Sequence, residues 1–207
     1  MILQYRPRRV INALISLFCD PETILRWRAI AAAGRVVAEQ GRNDLESARV
    51  IMRRLMWMLN DESGGIGWGV PEAMGAIMAQ NDRLGDEFAA ILLSYIQPAA
   101  NFLEHPMLQR GVLWGLGRLA KARPAEVGTI AGELQPFLQS PDPYHRGYAA
   151  WTAGRICARR HLALLEALTR DDAVLDIFMD DVLWQTTVAA LAREALSECQ
   201  SITYPTG

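Results

Sequence analysis

The chain has 207 residues, 51% of them hydrophobic, and its 21 Lys and Arg nearly balance its 23 Asp and Glu, for a formal net charge of -2. That balance gives no global electrostatic case for a strongly basic reader of nucleic-acid phosphates or for attachment to an anionic membrane, while the apolar content suits a globular chain with a substantial core. Cys19, Cys157 and Cys199 are far apart and in no CxxC spacing, no apolar run approaches the length of a bilayer span, and no cleavable apolar leader follows Met1–Arg9, so the chain reads as soluble and cytoplasmic, with neither a disulfide framework nor a zinc site.

In chain order, the apolar stretches fall into pairs. Val10 to Phe18, Ala48 to Leu59, Phe88 to Ile96, Val127 to Leu138 and Leu162 to Leu168 are each followed by a second segment of one recurring pattern. That pattern is Leu25 to Gly34, then Ile66 to Gly75, Leu108 to Gly117 and His145 to Gly154, with final glycines 41, 42 and 37 residues apart. A fifth copy, Val182 to Leu191, has Leu191 in the place of glycine. Two positions before the last residue the side chain is small in every copy (Ala32, Ala73, Gly115, Thr152, Ala189). Five before it is small or β-branched (Ala29, Val70, Val112, Ala149, Thr186), as close helix packing requires. Breaks come at Asp20-Pro21, Gly64-Gly65, His105-Pro106 and Asp142-Pro143, with proline suited to a first helical turn. Nothing alternates with period two, so no strand is predicted.

An apolar residue and Arg, then paired small residues, then Gly-Arg resembles the HEAT-like repeat class, including the short repeats of phycobilin-lyase-type proteins. Leu25-Arg26, Gly34-Arg35, Arg146, Ala149 and Gly154-Arg155 carry the likeness, which covers residues 8–199. The second repeat departs from it with Gly67 in place of Arg and with Pro71 inside the expected helix, which should start late or kink. The resemblance implies an all-α, right-handed α-α superhelix of about five helix pairs in one domain, 1–207. Its repeats lie near 8–41, 45–81, 86–123, 124–160 and 161–199, with a short tail at 200–207. A repeat label of this kind implies a fold and leaves function open.

At about 100° per residue, five of the six tryptophans fall on one stripe opposite the core face of the second helices: Trp27, Trp68, Trp114, Trp151 and Trp184. The rest of that stripe is mostly glycine, alanine or polar. Arg35, Arg118 and Arg155 follow the glycines, and Arg110 takes a tryptophan's place in the third copy. If second helices line the concave side of a solenoid, these residues form an aromatic and arginine groove, rich in the types that dominate binding hot spots. The alternative is that tight curvature buries the rings between neighbouring helices or that a terminal segment covers them.

Glu72 sits in the stripe beside Trp68, where burial would raise its pKa toward that of a general acid; its other reading is a polar contact or an arginine partner. His105 and His145 lie beside turn prolines and read as caps or surface residues, and with His161 they share no metal-ligand spacing. Asp171, Asp172, Asp176, Asp180 and Asp181 lack the glycine and glutamate of a calcium loop and read as a turn and helix start, with Asp180 and Asp181 capping the last helix. The first functional expectation is a non-catalytic scaffold taking a protein or peptide partner on Trp27, Trp68, Glu72, Arg110, Trp114, Arg118, Trp151, Arg155 and Trp184. It needs no metal and no cofactor. Two alternatives are a DNA glycosylase-type enzyme using Trp68, Glu72, Trp114 and Arg118, and an accessory protein for a planar tetrapyrrole such as a bilin or haem. Residues 1–60 carry ten Arg against five acids, +5, and residues 161–207 two Arg against eight, -6; that lengthwise dipole would favour head-to-tail contact between copies.

Overall fold

The computed structural model describes residues 7–60 and 67–201. It is an α-helical solenoid with helices α1 (Pro7–Ser16), α2 (Thr23–Asn43), α3 (Leu45–Leu59), α4 (Val70–Met78), α5 (Asp82–Ser94), α6 (Pro106–Ala122), α7 (Pro124–Gly128), α8 (Gln135–Leu138), α9 (Pro143–Arg155), α10 (Leu162–Leu168) and α11 (Val188–Ser201). The punctuation seen in the sequence ends these helices for identifiable reasons. Asp44, Asn81 and Asp142 accept hydrogen bonds from Ser47, Leu84 and Tyr144 main-chain N–H groups at 3.1, 3.1 and 2.9 Å, capping α3, α5 and α9. Gly69 is left-handed (φ 73°), and Pro71 falls in the first turn of α4, which therefore starts late. Val127 to Leu138, expected as one helical stretch, is instead two short helices joined by a 3-10 turn, because Gly128 and Gly132 weaken it and Pro136 supplies no amide donor.

The second helices α2, α4, α6, α9 and α11 pack each against the next as one continuous row. The repeat glycines explain how closely. A Cβ on Gly75 would lie 2.4 Å from the Gly115 main chain, one on Gly154 would lie 2.5 Å from Ala195 Cα, and one on Gly117 would lie 2.3 Å from the Trp151 ring. These glycines were expected as the floor of an open groove, and that expectation is corrected: they are the contacts between successive repeats. Ala29, Val70, Ala73, Val112, Gly115, Ala149, Thr152 and Ala189 are buried as expected, and Ala32 is half-buried.

The last repeat departs from the all-helical expectation. Val174–Met179 and Val182–Thr187 form strands β1 and β2, an antiparallel hairpin pairing Ile177 with Trp184 and Met179 with Val182. Its turn is Asp180-Asp181, both left-handed at φ 49° and 64°, a conformation that Asp tolerates better than most side chains. The fifth copy is thus a strand as far as Thr187, and Asp180 and Asp181 do not cap a helix. Thr187 caps α11 instead, its Oγ1 accepting from Ala190 N–H at 3.1 Å. Among the described residues, no helix is long and apolar enough to cross a membrane.

Candidate functional site

The hairpin lies on the row of second helices, over the stripe where the tryptophans converge. The Phe178 ring stacks on Trp27 with centroids 5.6 Å apart and planes at 3°, and Trp27 meets Trp114 at 4.8 Å. Trp114 Nε1 donates to Phe178 O at 3.0 Å, Tyr148 Oη donates to Asp176 O at 2.7 Å, and Arg35 ion-pairs with Asp181. Trp27, Trp114 and Trp151 retain only 7%, 2% and 3% of their surface, so the five rings do not border one open groove. For Trp27 and Trp114 the cover is the chain's own hairpin, an internal segment in place of a terminal one, whereas Trp151 is buried against the neighbouring helix α6 at Gly117. Trp184 stands 53% exposed on β2, away from the other rings, because its segment is a strand and obeys no helical stripe. Trp68 remains half-buried, edge-on to His105 at 4.8 Å, and His105 also caps α6 through Nδ1.

The hairpin divides the stripe into two clefts. The first, about 370 Å³, is walled by Trp27, Trp68, Tyr144 and Tyr148 and holds Arg26, Glu72, Arg110 and Asp176. Here α4 supplies Glu72, and Gly111 on α6 makes room for it: a Cβ at Gly111 would sit 2.4 Å from Glu72 Oε2. That oxygen is sealed from solvent and has no hydrogen-bond partner. Burial pushes the Glu72 carboxyl up to about 7, opposed by its own backbone N–H and by the charge of Arg26. The Arg26 main-chain N–H donates to Glu22 O at 3.0 Å, and its guanidinium, which lines the cleft, forms no hydrogen bond or ion pair with the side chains of the described residues. Arg110 is committed to the fold, with Nε donating to Asp142 Oδ2 at 2.6 Å and its guanidinium 4.5 Å over the Tyr144 ring. Burial drives the Tyr148 hydroxyl well above its ordinary range, reinforced by Tyr144, Glu72 and Asp176.

The second cleft, about 310 Å³, lies between α2, α4, α6 and the hairpin turn, lined by Arg35, Gln80, Trp114, Arg118, Phe178, Asp180 and Asp181. A small recess continues from it past Arg118 to Trp151 and Arg155. Arg118 lies over Trp114 at 5.8 Å and Arg155 over Trp151 at 5.3 Å. Arg155 also approaches Glu198 at 3.6 Å.

The structure therefore gathers Trp27, Trp68, Glu72 and Arg110 in one cleft, places Trp114 and Arg118 in the other with Trp151 and Arg155 in its recess, and leaves Trp184 outside both. Arg26, Tyr144, Tyr148 and Asp176 are site residues that sequence reasoning missed. Arg26 had a signal, since it holds the repeat's arginine position with Arg146. Asp176 had none, because it reaches the cleft only through the hairpin. Among the described residues no cluster of three or more His, Cys, Asp and Glu could hold a metal.

The fold and the two clefts define a helical-repeat solenoid whose row of second helices is bridged by its own hairpin. No family model matches the chain. An uncharacterised protein of Archaeoglobus fulgidus is 29% identical over 110 residues, which is 53% of this chain; the chain spans 54% of that relative's length. Among solved structures, an engineered protein from a structural genomics consortium matches with a TM-score of 0.57 at 14% identity, over 97% of this chain and 86% of that one. A designed armadillo repeat protein matches with a TM-score of 0.54 at 14% identity, over 91% of this chain and 81% of that one. Likeness at that identity establishes the helical-repeat fold alone.

Proposed function

We propose that the protein is a binding scaffold that takes a segment of a protein or peptide partner in the cleft of Trp68, Glu72 and Arg26. One observation carries this reading: in a cleft of about 370 Å³, Glu72 has a sealed oxygen without a hydrogen-bond partner, and the guanidinium of Arg26 makes no hydrogen bond or ion pair with the side chains of the described residues. A cleft serving the fold alone would satisfy its polar groups internally, since each unmet one costs about 1–3 kcal/mol. Aromatic walls with a few convergent polar groups are the usual form of a recognition pocket. The fully buried tryptophans then support the cleft from below, and Trp68 is the anchor a partner would touch.

Capture from native lysate tests this. Trp68→Ala should lose a partner that Trp57→Ala retains, because Trp57 is 68% exposed and lines neither cleft. A partner retained equally by both variants would refute the assignment.

A second reading has its own observation, the Glu72 carboxyl lifted to about 7, which suits general acid or base chemistry near neutral pH. Glu72→Gln separates the two: weakened partner capture with no turnover to lose supports a scaffold that uses the Glu72 oxygen, whereas loss of a turnover activity with affinity kept supports an enzyme. The glycosylase-type constellation is disfavoured, since the hairpin stands between Trp68 with Glu72 and Trp114 with Arg118. A planar tetrapyrrole would need open indole faces, and Trp27 already stacks on Phe178.

A further inference from the structure

The second cleft holds a charge that the fold leaves uncompensated. Arg118 projects from α6 with its Nε sealed from solvent and without a hydrogen-bond partner, and it forms no ion pair with any described residue. Its Trp114 neighbour offers a ring face, which attracts a cation but accepts none of the five guanidinium hydrogen bonds. The other charges around it are Arg35 on α2, Lys121 and Arg155 along the recess, and Asp180 and Asp181 at the hairpin turn; Arg155 is paired with Glu198 and Glu194, which leaves Arg118, Arg35 and Lys121 against the two hairpin carboxylates. Of those carboxylates Asp181 is taken by Arg35, and Asp180 acts on Arg118 only through its field. A half-buried guanidinium is costly to leave unpaired, and its planar fork matches the two oxygens of a carboxylate or phosphate. Burial also shifts the Arg118 pKa down, outweighing the opposing fields of Asp180 and Asp181.

We propose that the cleft between α2, α4, α6 and the hairpin turn is an oxyanion site, in which Arg118, backed by Trp114, binds a phosphate or carboxylate group and Asp181 competes with that group for Arg35. The hairpin turn then sets affinity. With Asp181 on Arg35 the site offers one free guanidinium; with Asp181 displaced it offers two, from α2 and α6 on either side of α4. This site stands independently of the Trp68 cleft and does not require that reading.

The test is titration of the full chain with inorganic phosphate and, separately, with acetate, at ionic strength held constant with sodium chloride. Arginine Nε–H and indole Nε1–H resonances are followed by NMR. Saturable shifts at Arg118 and at Trp114 are expected. Arg118→Gln should weaken binding about tenfold, the loss of one charge-assisted hydrogen-bonded anchor. Asp181→Asn should tighten it several-fold by releasing Arg35 and removing a negative charge. Should Arg118→Gln fail to fold, Arg35→Gln replaces a side chain that is 55% exposed and should weaken binding in its place. Saturation by phosphate alone assigns the site to phosphoryl ligands, and saturation by both assigns it to oxyanions including acidic side chains. Shifts that never saturate, or saturable binding unchanged in both Arg118→Gln and Arg35→Gln, would overturn the proposal. Trp68→Ala should leave phosphate binding unchanged, so failure of the other cleft is read separately.

Discussion

The indole nitrogen of Trp114 donates to the main-chain carbonyl of Phe178 at 3.0 Å, tying the middle helix of the row to a hairpin 64 residues further along the chain. The bond satisfies a donor on a ring that keeps 2% of its surface, and it seats the hairpin where the Phe178 ring can stack on Trp27.

Phe178→Ala should therefore act as a core truncation although Phe178 lies in a hairpin. Its ring keeps 3% of its surface, and buried Phe→Ala changes cost about 3–5 kcal/mol. Denaturant unfolding measures the cost, and acrylamide quenching should rise as Trp27 and Trp114 become accessible. A loss under about 1 kcal/mol with unchanged quenching would mean that the hairpin does not seal these rings in solution.

The row of second helices depends on contacts that admit no side chain at Gly75. Gly75→Ala puts a methyl 2.4 Å from the Gly115 main chain, and backbone cannot yield as a flexible side chain does. The helices must separate, at a cost of about 1–3 kcal/mol or more. Gly128→Ala is the matched control, with nothing within 4 Å of the new methyl. It should be neutral or stabilise by about 0.4–1 kcal/mol through the unfolded state. Thermal unfolding of the two variants should move in opposite directions or leave only Gly75→Ala shifted.

The Glu72 carboxyl predicts a pH dependence of stability. Burial lifts it from 4.5 to about 7, so the folded chain holds a proton that the unfolded chain releases in between. Folding is consequently penalised as pH rises through that window, and the penalty is complete above about 7. Glu72→Gln is neutral throughout and escapes it. Its stability relative to the parent should climb from pH 4.5 to 7 and level off beyond, by an amount on the order of 3 kcal/mol. A difference that stays flat across this range, measured by urea unfolding, would place the carboxyl in water.

Much of the solenoid was legible because its information is local and repeated. The spacing of small residues and glycines marks where helices touch; Ala29, Val70, Ala73, Val112, Gly115, Ala149, Thr152 and Ala189 are buried because a 3.6-residue period puts them on packed faces whatever lies elsewhere in the chain. Asp142 before Pro143 and Asn81 before α5 announce helix starts for equally local reasons. The candidate site was legible in composition and not in arrangement. Trp27, Trp68, Glu72 and Arg110 do meet, yet the sequence alone could not say that Val174 to Thr187 folds over them. Both faces of β1 are partly covered, Leu175 and Ile177 on one and Phe178 on the other, so the strand shows no clean alternation of apolar and polar residues. Its turn is Asp-Asp in place of the Asn-Gly or Asp-Gly that would have marked a hairpin. Which rings are sealed, that Asp181 reaches Arg35 across 146 residues, and that the Arg118 Nε is left without a hydrogen-bond partner are outcomes of that long-range docking. Helical periodicity records what a residue does for its own helix; only the packed chain decides which distant segment comes to lie against it.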